Sequence, residues 1–244
     1  MRARHLESSV RDALGDTPIV LIVGARQTGK STLARRVADG NFYRYITLDL
    51  LQALSAARSD PVAFIEGFPG PVIIDEVQRA PELFLPLKAA VDRDRQPGRF
   101  LLTGSANVLL LPHLAETLVG RMEVLALWPF SQGEIDEQRE RFIDVAFSDV
   151  ATLPSSGAAE RETVIRRILR GGYPEAVMRD SDARRGAWFA AYLETMLQRE
   201  IPDLAQIEGI FALRQLLALI AARSPSLVNY AALSRDSGLP QTTL

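Results

Sequence analysis

Eight consecutive residues, Gly24-Ala25-Arg26-Gln27-Thr28-Gly29-Lys30-Ser31, restrict this chain more than any other stretch. Their spacing is G-x-x-x-x-G-K-[ST], in which glycine lets the backbone turn its N–H groups toward a polyphosphate. The apolar run Ile19 to Val23 before them reads as a buried parallel strand, and Ser31 to Ala38 after them as an amphipathic helix. The N-terminus of that helix adds partial positive charge where the loop ends. On this reading the backbone from Gly24 through Thr32 cradles phosphate. Lys30 bridges the β and γ phosphates, Ser31 gives its hydroxyl to Mg²⁺, and Thr32 donates to the α phosphate. Lysine is scarce here: of 28 Lys plus Arg, only residues 30 and 88 are lysine. A chain that otherwise writes arginine has a compact ammonium where a planar guanidinium would not fit.

Pro71-Val72-Ile73-Ile74-Asp75-Glu76 reads as a second buried strand that delivers two carboxylates at its C-terminal end, where ligands gather in open α/β sheets. Asp75 would hold Mg²⁺ directly or through water, and Glu76 would polarise the water that attacks the γ phosphate. The competing reading is a turn or helix cap. Arg99 to Ser105 forms a further apolar strand ending in hydroxyls. Ser105 is the first choice, and Thr103 the second, for a group that registers the γ phosphate; a Ser cap before a helix over Val108 to Leu118 is the alternative. Arg121 precedes the strand Val124 to Leu127. It is a candidate finger reaching a neighbouring subunit's γ phosphate, against the alternative of a structural salt bridge. Near the start, Arg2, Arg4 and His5 are candidates for base or phosphate contact, against a solvated basic start.

Organisation follows from these motifs. Residues 1–130 read as an α/β core, with helices at Glu7 to Leu14, Leu51 to Arg58, a short one reaching Glu66, and one from Pro81 to Asp94. Residues 131–160 read as a charged irregular insertion or linker, exposed around Leu153 to Ala158. Residues 161–224 read as a helical lid, with Trp188, Tyr192, Thr195 and Met196 at core-like spacing. Residues 225–244 have the cadence of a helix-turn-helix around Gly238, an incomplete winged-helix segment. Cysteine is absent, which excludes disulfides and thiol catalysis and suits a cytoplasmic protein. No run of 18 apolar residues offers a membrane span. The net charge of −2 gives no general nucleic-acid footprint.

Taken together, these motifs resemble the AAA-like ATPases of bacteria and archaea that carry a C-terminal domain of unknown function, number 4143, relatives of the signal-transducing archaeal-type ATPases. The resemblance rests on the Gly24 to Ser31 loop, on Ile74-Asp75-Glu76-Val77-Gln78-Arg79-Ala80-Pro81-Glu82-Leu83-Phe84, on Leu102 to Ser105, on Gly120-Arg121 and on Gly171-Gly172-Tyr173-Pro174. It implies a parallel five-stranded sheet in the order 5-1-4-3-2, a helical lid and a winged helix. It also implies adenine rather than guanine as the base, with Pro174 packed on it, and a further nuclease-like C-terminal domain.

Two functional readings stand side by side. One is Mg²⁺-dependent ATP hydrolysis coupled to lid movement, with self-association through Arg121. The other is an ADP- or ATP-gated switch that turns over slowly, if at all, and recruits DNA or protein through its C-terminal region.

Overall fold

The computed structural model describes residues 2–39, 43–105, 118–148, 160–200, 210–223 and 227–241. The helix expected over Val108 to Leu118 and the loop at Leu153 to Ala158 lie outside, or almost wholly outside, those residues.

The chain starts with α1 (Leu6–Asp16), which runs two residues past the predicted Leu14 end, and then enters β1 (Ile19–Val23). After the glycine loop come α2 (Lys30–Ala38), β2 (Arg44–Thr47), α3 (Leu51–Ser59) and α4 (Pro61–Glu66). Asp60 caps α4 by accepting from the Ala63 N–H at 2.9 Å. β3 (Val72–Asp75) follows, and then two short 3₁₀ turns, Val77–Arg79 and Pro81–Leu83, before α5 (Phe84–Arg93). The single helix expected from Pro81 is therefore a 3₁₀ turn leading into a shorter α-helix. Ala80, kept out of the helical region by the proline after it, sits at φ −136° and ψ 72°. β4 (Phe100–Gly104) and β5 (Met122–Ala126) complete the sheet.

All strand pairs are parallel, and the order is β2-β3-β4-β1-β5. Read from the other edge, this is the order 5-1-4-3-2 that the resemblance implied. β1, β3 and β4 are buried along their whole length because helices cover both faces. Alternation along β1 divides the core in two. Ile19, Leu21 and Val23 join Leu54, Ile65, Leu87 and Val91 from α3, α4 and α5. Val20 and Ile22 join Val10, Leu33 and Val37 from α1 and α2. With the middle strands locked between two apolar layers, their C-terminal ends are fixed in register, which is what a site built there needs.

Beyond β5, residues 131–148 of the stretch expected to be irregular hold two short helices. α6 (Gln132–Ile135) is a single turn closed by a capping box between Ser131 and Glu134, and α7 (Phe142–Ala146) follows. α8 (Arg161–Arg170) and α9 (Pro174–Val177) come next. The chain packs as two compact units, Met1–Arg179 and Asp180–Leu244, so α8 and α9 go with the first.

The second unit holds α10 (Asp182–Thr195) with a π turn at Met196–Glu200, α11 (Ile210–Arg223) and α12 (Tyr230–Ser237). Gly238 ends α12 in the left-handed conformation at φ 71°. Trp188 and Tyr192 stack at 5.2 Å but are only half-buried, and Thr195 is exposed, so the expected core stripe is partial. No described helix is long and apolar enough to cross a membrane.

Candidate functional site

The glycine loop joins the end of β1 to the start of α2. Gly29 caps α2 at φ 95°, a left-handed angle suited to glycine, and Gln27 at φ 62° shares the sharp turn. Gly24 serves differently: a Cβ there would lie 2.3 Å from the Leu127 carbonyl oxygen, so only glycine lets the chain leaving β5 press against the loop. Inside the loop the Lys30 ammonium donates to the carbonyls of Gly24 at 3.1 Å and Ala25 at 3.0 Å. The Thr28 side chain, fully buried, donates to the Ala25 carbonyl at 2.9 Å. Arg26 belongs to the loop without burial, and Thr32 sits in the first turn of α2.

Three hydroxyls converge on Asp75. Ser31 donates to Oδ1 at 2.7 Å, Thr103 donates to the same oxygen, and Tyr45 donates to Oδ2 at 2.7 Å. The sheet register explains this: Ile74 faces Leu102, so Asp75 lies beside Thr103, while β2 brings Tyr45 alongside β3. Burial, with the carboxylate beside it, holds the Tyr45 phenol above its ordinary value of 10.0; Arg35, stacked 4.1 Å from the ring centroid, partly opposes this. Tyr45 is thus a neutral donor.

These oxygens suit a hard cation. Ser31 Oγ and Asp75 Oδ1 stand 2.7 Å apart, close to the roughly 2.9 Å between adjacent ligands of an octahedral Mg²⁺. Among the described residues no group of three His, Cys, Asp or Glu could hold a metal by itself. Phosphate oxygens and water would have to complete such a shell.

Glu76 directly follows the strand, in the left-handed region at φ 61° and ψ 45°, an uncommon conformation for a side chain this long. Its N–H donates to Thr103 Oγ1 at 3.2 Å, and its carboxylate accepts from the Gln78 amide. Gln78 Oε1 in turn accepts from the Ser105 N–H at 3.3 Å. Thr103, the second choice from sequence, therefore touches both acids, whereas Ser105 reaches Glu76 only through Gln78.

Arg121 is apart from this cluster. Its carbonyl accepts from the Ile19 N–H, at the N-terminal end of β1, opposite the glycine loop. Its guanidinium pairs with Asp92 at 2.5 Å. That contact, led by the hydrogen bond from Arg121, holds the Asp92 carboxyl below its ordinary value. Pro174 lies on the side where β5 ends: the Phe130 N–H donates to the Gly172 carbonyl at 2.7 Å, two residues before the proline that starts α9.

Arg4 takes a place that neither sequence alternative foresaw. It donates to the Thr28 carbonyl at 2.7 Å and to the Trp128 carbonyl, and its guanidinium lies 4.6 Å from the Phe130 ring centroid. Its Nε pairs with Glu134 at 3.1 Å, both side chains being under a tenth exposed. Tyr45, Gln78 and Glu134 were equally missed. Only Gln78 left a signal, by its place in the run that opens with Ile74.

Residues 16–136 match the family described as "AAA domain". Residues 161–244 match a domain of unknown function numbered 8612, which replaces the number 4143 named from the resemblance. An uncharacterized protein of Mycobacterium tuberculosis (strain ATCC 25618 / H37Rv) is 32% identical over 241 residues, which are 98% of this chain and 49% of that protein. One from Mycobacterium bovis (strain ATCC BAA-935 / AF2122/97) gives the same figures. The chain thus spans about half the length of the curated relatives it matches. Among solved structures, the Walker-type ATPase of Pyrococcus abyssi superposes with a TM-score of 0.53 at 17% identity, over 97% of this chain and 89% of that one. At that identity the likeness speaks for the fold, an α/β P-loop NTPase fold with a parallel sheet.

Proposed function

Taking residues 16–136 as an AAA-type P-loop domain, we propose that the chain binds ATP with Mg²⁺ and hydrolyses it. The observation that carries this reading is the 2.7 Å bond between Ser31 and Asp75, which sets the loop hydroxyl beside the strand-end acid. In this reading the N–H groups from Gly24 to Thr32 face the phosphates, and Lys30 leaves the Gly24 and Ala25 carbonyls in part to meet them. Ser31 and Asp75 would hold Mg²⁺, which supplies charge neutralisation on the phosphate oxygens. Glu76 orients the attacking water, and Thr103 keeps both acids in place. The link between Phe130 and Gly172 supports Pro174 as a wall for the base.

The second reading, a nucleotide-gated switch with little turnover, draws support from the Gln78 amide bonded to the Glu76 carboxylate, which occupies the group needed to activate water. DNA or protein recruitment through the C-terminal region and a cytoplasmic location belong to the same proposal. Arg121 would serve a neighbouring copy and not its own loop, given its place at the far end of the sheet. If so, ATPase activity per chain rises with protein concentration and the rise disappears in Arg121→Ala; equal rates in both remove the idea.

The deciding experiment is titration calorimetry with Mg-ATP, Mg-ADP and Mg-GTP, beside phosphate release, on the parent, Lys30→Ala and Glu76→Gln. Binding lost at Lys30, with turnover lost but binding kept at Glu76, is the expected result. Tight ADP binding without turnover selects the switch. No nucleotide binding by the parent refutes both.

A further inference from the structure

The phosphate loop is held from outside by an arginine 20 residues before it in sequence, and that arginine by a buried glutamate beyond β5. We infer that Arg4 is a positioning residue for the loop, with Glu134 as its anchor; this rests on the nucleotide-binding reading above. The argument begins with one peptide group. In a trans peptide the C=O and the following N–H point in opposite directions. Arg4 holds the Thr28 carbonyl at 2.7 Å. The Gly29 N–H is therefore aimed away from Arg4, the side that the nucleotide-binding reading gives to phosphate. Gly29 has the freedom to lose that aim: it sits at φ 95° and, without a Cβ, can leave that angle at little steric cost.

The hold is rigid because the guanidinium has no slack. Its Nε goes to Glu134, one terminal nitrogen to Thr28 and the other to Trp128, with the Phe130 ring 4.6 Å from its centre. Glu134 is fixed in turn: Oε1 also accepts the His5 N–H at 2.6 Å, and Oε2 the Ser131 N–H at 3.1 Å. One ion pair thus ties the chain start, the loop and the exit from β5 into a single unit. The lysine of the loop binds phosphate by charge; Arg4 contributes by orientation alone.

The test uses the full chain with Arg4→Ala, Arg4→Lys and the double variant Arg4→Ala/Glu134→Ala. Two quantities are read: affinity for Mg-ADP by calorimetry, and amide hydrogen exchange without nucleotide in peptides covering residues 24–32 and 84–93. The expected result for Arg4→Ala is an affinity loss of about tenfold or more, with faster exchange at 24–32 and none at 84–93. Arg4→Lys, keeping the charge but not the fork, falls between. The double variant removes the orphaned carboxylate and keeps the loss. Parental affinity in the double variant overturns the inference, since the effect then came from an unpaired buried charge. Exchange that rises equally in both peptides also overturns it, as loss of global stability. Should the parent bind no nucleotide, the function proposed above fails while the exchange measurement still decides the role of Arg4.

Discussion

Replacing Thr103 with valine tests the site most directly, because one fully buried hydroxyl serves both acids. It donates to Asp75 and accepts the Glu76 N–H at 3.2 Å. Valine matches the shape but supplies neither bond. Loss of a bond to a charged acceptor costs about 1.5–3 kcal/mol, and a buried N–H left without a partner about 1–3 kcal/mol. The two overlap, because Asp75 retains Ser31 and Tyr45. A net cost of about 2–4 kcal/mol is therefore reasonable, equivalent to a fall in Tm of roughly 5–15 °C for a unit this size. Thr103→Ser keeps the hydroxyl and loses only a buried methyl, about 1 kcal/mol. Thermal melts followed by circular dichroism on both variants give the comparison. If valine and serine melt within 1 °C of each other, the hydroxyl is not the link between the acids, and the account of how Glu76 is held fails with it. Phosphate release on the same samples adds a second reading: valine should lower turnover more than it weakens Mg-ATP binding, since Glu76 loses its backbone tether.

Gly24→Ala places a Cβ 2.3 Å from the Leu127 carbonyl oxygen; calorimetry should show nucleotide affinity lowered at least tenfold, and parental affinity would mean that the close approach is dispensable. Gln78→Ala frees the Glu76 carboxylate and should raise phosphate release severalfold with nucleotide affinity unchanged; a fall would instead make Gln78 an aid to catalysis. Burial holds the phenols of Tyr43 and Tyr45 above their ordinary value, so the folded chain keeps these protons more tightly than the unfolded chain. That stability is complete below pH of about 10 and is lost as pH rises through the raised values. The chain holds five tyrosines and two lysines, so the double variant is the control that isolates this pair. The unfolding free energy from urea melts should fall between pH 8 and 11 more steeply in the parent than in Tyr43→Phe/Tyr45→Phe; an equal fall in both would refute it.

Contiguous signals made the fold and half of the site legible in the sequence. The loop, the two acids and the strand runs were all read from neighbours in the chain, because apolar runs and glycine spacing are local features. Strand order came only with the resemblance, since no local pattern tells which strand lies beside which. Tyr45 carries no mark of its role: its hydroxyl reaches Asp75 because β2 pairs with β3 in a register that places Thr47 beside Asp75. Arg4 and Glu134 are 130 residues apart and look like ordinary surface charges until the chain brings them together. Ser105 outranked Thr103 on position alone; Thr103 lies inside β4, one step past the Ile74–Leu102 pairing and so beside Asp75, whereas Ser105 follows the end of the strand.

Lys30 has a consequence for what the loop admits. Its ammonium is already solvated by the Gly24 and Ala25 carbonyls, so an arriving anion does not neutralise a bare charge but competes with two good acceptors. A monovalent ion such as chloride gains little from that exchange and leaves the lysine where it was. A ligand with several charged oxygens offers more than the two carbonyls give, and only such a ligand shifts the balance. On the proposed reading, discrimination against the small anions that crowd any aqueous solution is thus built into the loop before any nucleotide base is read.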